Sequence, residues 1–202
     1  MDTTDTSLQG LRVAILLTEG FEQTELTGPK SALEQHGATT RVVSHRRGKV
    51  QAFRHHDRGD QFDVDLTFAE IRAEDFDAVL LPGGVINSDQ MRAIPHAQHF
   101  LRDMDEAGKP VFVICHGAWV LISAGLVDGR TMTSWPTLRD DIRNAGGTWV
   151  DSEVVVDGNW ISSRKPADIP AFNQKMIDLL YQYKAGGRPS QPGEQMGIGL
   201  PE

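Results

Sequence analysis

Residues 110–117 read Pro110-Val111-Phe112-Val113-Ile114-Cys115-His116-Gly117. Four consecutive apolar residues, three of them β-branched, are too few for a helix and fit a short strand buried on both faces. Directly after them stands a small nucleophile, and directly after that a glycine-containing helix start. This is the pattern of a nucleophile elbow, in which a sharp turn at the end of a strand forces the side chain outward.

Working outward, three similar runs precede it: Leu11–Leu17 (LRVAILL), Thr40–Ser44 (TRVVS) and Phe76–Leu81 (FDAVLL). Amphipathic stretches separate them. Glu22–Gln35 reads as a helix interrupted at Gly28-Pro29. Ala97, Phe100, Leu101 and Met104 step by 3, 1 and 3, which lines one helical face. A last helix carries Ile169, Phe172, Met176, Leu179, Leu180 and Tyr183 after an N-cap at or near Asp168. Strands alternating with helices predict an α/β fold, a doubly wound and mostly parallel sheet.

The 202 residues suffice for one core. Residues 1–10 are expected as an N-terminal extension and 11–184 as a single domain. Residues 185–202 hold five glycines and three prolines without a periodic apolar face, and are expected as a flexible tail. With 39% hydrophobic residues and 20 glycines the chain falls in the globular range, which excludes disorder throughout. Its longest apolar runs are five residues, so no membrane span is expected. A net charge of −8 repels a phosphate backbone at long range, so nucleic acid is not an expected partner. The acidic start Met1-Asp2-Thr3-Thr4-Asp5 lacks the basic and apolar regions of a secretory signal, and the cytoplasm is the expected compartment.

Cys115 is the single cysteine, which excludes an internal disulfide, a multi-thiolate zinc site and a CxxC redox pair. His96 and His99 are three apart on a helix but lack a nearby third ligand, so neither a metal nor another cofactor is expected. The basic stretch from His45 to Arg58 reads as a solvated loop or hairpin, with an anion or partner site as the alternative.

In an open α/β sheet, ligands bind beyond the carboxyl ends of the strands. Three segments lie there: Thr18–Glu22, Pro82-Gly83-Gly84 and Cys115-His116-Gly117. At a helix start the thiol of Cys115 would favour its thiolate, and a lowered thiol pKa is expected. The plain alternative is a buried small hydrophobe ending a strand. No histidine follows His116, so a papain-like or glutamine-amidotransferase-like base downstream of the nucleophile is absent, leaving adjacent His116 as the obvious base. Amides of Pro82-Gly83-Gly84, unobstructed by side chains, could hold an oxyanion or simply end a strand. Glu22 is a candidate acid, or a first-turn glutamate favoured by the helix dipole.

Cys115-His116-Gly117 after VFVI, LLPGG at Leu80–Gly84, Thr133-Ser134-Trp135, Asn144-Ala145-Gly146, Glu153–Gly158 and Ser162–Asp168, in this order, resemble the ThiJ/PfpI family in its PfpI-like intracellular branch, within the class I glutamine amidotransferase-like superfamily. The resemblance spans about residues 10–183. It implies a flavodoxin-like sandwich with helices on both faces of the sheet, and a homodimer or higher homo-oligomer. It makes Cys115 the nucleophile, Glu22 the carboxylic acid contacting it and His116 the second catalytic position. It also implies an acid from the neighbouring subunit that orients the imidazole, best matched by Asp89. The amides of Gly84 and His116 become the oxyanion hole with Gly83 nearby, and Gly117 and Trp119 adjoin the substrate. Relatives often carry proline where this chain has Ala118.

Two function classes follow from the resemblance. One is a cysteine-dependent, stress-protective enzyme acting on a small aldehyde such as methylglyoxal, on a glycated amine, or on a small peptide. The other is a redox-responsive stress protein or chaperone whose Cys115 oxidises to a sulfinate held by Glu22.

Overall fold

Period-2 alternation in the first strand sets the architecture. A computed structural model describes residues 7–186. In β1 (Arg12–Leu16), Val13 and Ile15 face one apolar layer while Ala14 and Leu16 face the other. A strand buried on both faces requires helices on both sides, and the rest of the chain supplies them.

After β1 come a two-residue strand, β2 (Phe21–Glu22), and α1 (Gln23–Gln35). Then follow β3 (Thr39–Ser44), the hairpin β4 (Gly48–Arg54) and β5 (Asp57–Val64), and short β6 (Leu66–Thr67). The chain next forms β7 (Ala78–Leu81), α2 (Val85–Arg92), α3 (Pro95–Glu106) and β8 (Val111–Ile114). Beyond the elbow lie α4 (Ala118–Ser123), β9 (Thr131–Met132), α5 (Arg139–Asn144) and β10 (Thr148–Trp149). The described chain ends with β11 (Val154–Asp157), β12 (Trp160–Ser163) and α6 (Ile169–Lys184).

Seven strands form the central sheet in the order β11-β12-β8-β7-β1-β3-β6. Every pairing is parallel except β11 with β12. The expected α/β, flavodoxin-like sandwich is therefore the observed one. Helices α1 and α6 cover one face through Leu26, Leu33, Phe172, Met176 and Leu180, and α3, α4 and α5 cover the other. On α3 the buried residues are Ala97, Phe100, Leu101 and Met104, the four the spacing predicts. Burying its three large side chains contributes about 1.5–3 kcal/mol each. The basic stretch forms the β4–β5 hairpin, which joins β2 in a separate three-stranded sheet.

One local expectation, the break in the first helix, is corrected. Helix α1 runs through Gly28-Pro29 without interruption. Pro29 leaves the Glu25 carbonyl without an intrahelical partner, a cost of about 3 kcal/mol that packing against α6 offsets. Gly28 permits that packing, since a Cβ there would lie 2.9 Å from Ile169 Cγ2. Asp168 occupies the N-cap of α6 but does not cap it, because its carboxylate accepts from the Arg164 guanidinium at 2.8 and 3.2 Å. Leu8, expected in the extension, is fully buried in the core. The expected tail falls, from residue 187 onward, outside the described residues. Among the described residues no helix is long and apolar enough to cross a membrane.

Candidate active site

Strands β8, β7 and β1 are neighbours, so the three segments following them meet at one edge of the sheet. The chain leaves β1 for β3 on one side and later returns to β7 on the other. The resulting switch point between β1 and β7 is where open α/β sheets form their crevice.

Cys115 sits there with φ +61°, one of two non-glycine residues in the left-handed region among those described. Such a conformation costs roughly 1–2 kcal/mol. It turns the chain sharply between β8 and the 3-10 turn Cys115–Gly117 that leads into α4, as the elbow pattern predicts. The bend also brings adjacent side chains together: Cys115 Sγ lies 3.3 Å from His116 Nδ1. The backbone amides of His116 and Gly84 favour the charged form of the sulfur. These are the two amides expected to form an oxyanion hole.

The carboxyl at the sulfur is that of Glu25. This fully buried residue of α1 interacts electrostatically with Cys115 and accepts the Gly83 N–H at 2.7 Å through Oε2. Its Oε1 is buried with no protein partner. Gly83 makes the meeting possible: a Cβ there would lie 2.5 Å from Glu25 Oε2, 2.7 Å from Cys115 Cβ and 2.9 Å from the His116 nitrogen. Gly117 serves packing, since a Cβ there would lie 2.7 Å from the Leu81 carbonyl oxygen.

The expected contact between Glu22 and Cys115 is therefore corrected. Glu22 belongs to β2, which pairs with β4, and its carboxylate turns to the hairpin. There it accepts the His55 N–H at 2.9 Å and the Thr24 hydroxyl at 3.3 Å. Helix α1 begins one residue later, and helical side chains lean toward the N-terminus, so Glu25 is the glutamate that reaches back to the elbow. The missed signal is a second glutamate three residues on.

Burial sets the protonation states. Loss of solvent raises the Glu25 carboxyl to about 8, helped by the nearby charge of Glu22 and opposed by the Gly83 N–H and Cys115. Glu25 therefore carries a proton at neutral pH. Burial pushes His116 down to about 4, leaving a neutral imidazole. The expected lowering of the thiol is overturned: burial, then the Glu25 carboxylate, push Cys115 well up, and the two amides only partly oppose them.

Two tryptophans hold the imidazole. Trp135 stacks on it at 5.8 Å and 26°, and Trp119 meets it edge-on at 5.3 Å. Trp119 donates to Asp141 at 2.8 Å and lies under the Arg92 guanidinium. Trp119, expected beside the substrate, is thus placed beside His116; Trp135, absent from the expected site, joins it. Asp89 stands exposed on α2, and no hydrogen bond joins it to His116 among the described residues. No group of three or more candidate metal ligands occurs among the described residues.

A model of the DJ-1/PfpI family matches residues 11–179. A protein named Deglycase TK1284, from Thermococcus kodakarensis, is 44% identical over 170 residues, covering 84% of this chain and 99% of its own. The Putative cysteine protease YraA of Bacillus subtilis is 38% identical over 169 residues, 84% of this chain and 98% of that one. Among solved structures, a two-domain protein from Anabaena variabilis with DJ-1/ThiJ/PfpI-like and ferritin-like domains superposes with a TM-score of 0.78 at 34% identity, over 92% of this chain and 51% of that one.

Proposed function

Because the chain belongs to the DJ-1/PfpI family, we propose that it is a cysteine-dependent enzyme whose Cys115 attacks reactive carbonyls, methylglyoxal and its early adducts with amines among them. The observation that carries this reading is a strained thiol set between a neutral imidazole and a protonated carboxyl. The name Deglycase borne by a relative 44% identical supports it.

In the proposed chemistry, His116 Nδ1 takes the thiol proton as sulfur adds to the aldehyde carbon. The amides of Gly84 and His116 hold the oxygen as its charge develops. Return of the proton to that oxygen gives a neutral hemithioacetal and restores the imidazole. His116 then removes the proton from the former aldehyde carbon while Glu25 protonates the neighbouring carbonyl oxygen, giving an enediol. Proton return to the second carbon yields a thioester of a hydroxy acid, and Glu25 recovers its proton. Water cleaves the thioester to lactate and the free thiol, so methylglyoxal plus water becomes lactate with no net oxidation.

The same sulfur, base and amides suit hydrolysis of a small peptide through a tetrahedral intermediate, and the name of the Bacillus subtilis relative favours that as a second reading. A steady-state comparison of methylglyoxal, a glycated amino acid and a small peptide separates them. Lactate formation with the highest kcat/KM for the first or second substrate is expected; turnover of the peptide alone overturns the carbonyl reading.

We further propose that the active unit is a homodimer or higher homo-oligomer in which a partner's copy of Asp89 orients His116. Asp89 shares an exposed surface of α2 with Val85 and Ile86, which are 52% and 49% exposed. Large apolar side chains left half in water beside a site suit burial against a second copy. Asp89→Asn is expected to lower turnover about tenfold without unfolding the protein. Mixing Asp89→Asn with Cys115→Ala should restore part of the activity; a mixture no more active than the sum of its components overturns the shared site.

A further inference from the structure

The loop carrying two of the site's amides has no side chains of its own to hold it. Gly83 and Gly84 are joined by a peptide that neither residue restrains, and Gly84 sits at φ +93°. Turning this peptide over would exchange the Gly84 N–H at the sulfur for the Gly83 carbonyl oxygen. A carbonyl dipole there would repel both a thiolate and an oxyanion.

One buried side chain opposes that rotation. Asn87, in the first turn of α2, has no exposed surface. Its Nδ2 donates to the Pro82 carbonyl at 3.0 Å and to the Gly83 carbonyl at 2.9 Å. Its Oδ1 accepts the Thr18 N–H at 2.6 Å and the Thr18 hydroxyl at 3.2 Å. Both donors of the amide are therefore used, and the one Thr18 hydroxyl proton is shared between Oδ1 and the Asn87 backbone carbonyl at 3.1 Å. The side chain spans from the end of β1 to the end of β7, adjacent strands whose loops form the crevice.

In a trans peptide the C=O and the following N–H point in opposite directions. Holding the Gly83 carbonyl on the Asn87 side, assisted by the Glu22 N–H at 3.4 Å, therefore directs the Gly84 N–H the other way, in a loop packed so closely on the elbow that a Cβ on Gly83 would lie 2.7 Å from Cys115 Cβ. We propose that Asn87 is a positioning residue that keeps the Gly83–Gly84 peptide from flipping, and so aims the Gly84 N–H at the Cys115 sulfur and at the oxyanion formed beside it. The oxyanion half rests on the carbonyl chemistry proposed above. The sulfur half rests on the Asn87 hydrogen bonds and on the trans geometry of the Gly83–Gly84 peptide.

Since Cys115 is the single cysteine, alkylation reports on this sulfur without a substrate. Two variants remove the donors: Asn87→Asp keeps the side-chain shape, and Asn87→Ser avoids a buried charge. Each is expected to slow alkylation by iodoacetamide at pH 8 about tenfold, the loss of one hydrogen bond to a charged sulfur. With methylglyoxal, kcat should fall about tenfold while KM stays within twofold. Met91→Ala, a buried packing change on the same helix, should lower Tm and leave the alkylation rate unchanged.

Alkylation of Asn87→Ser at the wild-type rate or faster overturns the proposal, because a merely structural Asn87 would loosen access to the thiol. An equal slowing in Met91→Ala overturns it too. In the unmutated protein the Gly84 amide resonance should titrate with Cys115, and a Gly84 amide indifferent to that thiol ends the proposal even if neither variant folds. If the wild-type protein leaves methylglyoxal untouched while alkylation slows as expected, the carbonyl reading fails and the role of Asn87 stands.

Discussion

Cys115→Ala is expected to lower conversion of methylglyoxal to lactate by at least about three orders of magnitude, because the chain holds no other thiol to form the covalent adduct. Stability should change by less than about 1 kcal/mol. Alanine inherits the positive φ, so the strain of the elbow is not released by this substitution. Glycine at the same position releases it, and Cys115→Gly should be equally inactive and about 1 kcal/mol more stable than Cys115→Ala. Circular dichroism melts and a lactate assay on the three proteins check both halves. Residual turnover above a hundredth of wild type in Cys115→Ala would remove the sulfur from the mechanism. A glycine variant no more stable than the alanine one would mean that the surrounding structure, rather than the residue, carries the cost of the bend.

The elbow was legible because its signals are local. A strand buried on both faces, a thiol and a glycine occupy eight residues, and the fold follows from how such strands alternate with amphipathic segments such as α3. The acid was not legible in the same way. Whether Glu22 or Glu25 meets the sulfur depends on where α1 begins, and that is decided by the pairing of Phe21 and Glu22 with Ala52 and Phe53, about thirty residues away. Trp135 was hidden for a similar reason: its place beside His116 comes from its N–H donating to the Cys115 carbonyl at 3.3 Å, a contact between chain segments twenty residues apart. The direction of the thiol shift was misread because a helix start was weighed without the desolvation that accompanies 7% exposure. The role proposed for Asp89 belongs to a third class, since a group proposed to act across subunits has no partner to be recognised by within one chain.

Glu25 gives the second large effect, and it separates cleanly from that of His116. The Glu25 carboxyl rises from 4.5 to about 8 on folding, so between those values the native state binds more proton than the unfolded chain. Its contribution is fully present below pH 4.5 and is lost as pH rises through 8. His116 falls from 6.5 to about 4, so its contribution is present above 6.5 and is lost as pH falls toward 4. The two oppose each other between pH 4.5 and 6.5, and between 6.5 and 8 Glu25 acts with little interference. Across that upper window one proton corresponds to about 2 kcal/mol, or about 4–8 °C in Tm for a chain of this length. Wild-type protein should lose that much more stability than Glu25→Gln, whose amide retains an acceptor for the Gly83 N–H and a donor toward the sulfur but cannot ionise. The same variant should lower kcat about a hundredfold, because its side chain has no proton to release. Glu22→Gln, which keeps an acceptor for the His55 N–H, should stay within about fivefold. Parallel Tm–pH curves for wild type and Glu25→Gln, or a Glu22→Gln defect as large as that of Glu25→Gln, would show that the proton sits elsewhere and return the assignment of the acid to Glu22.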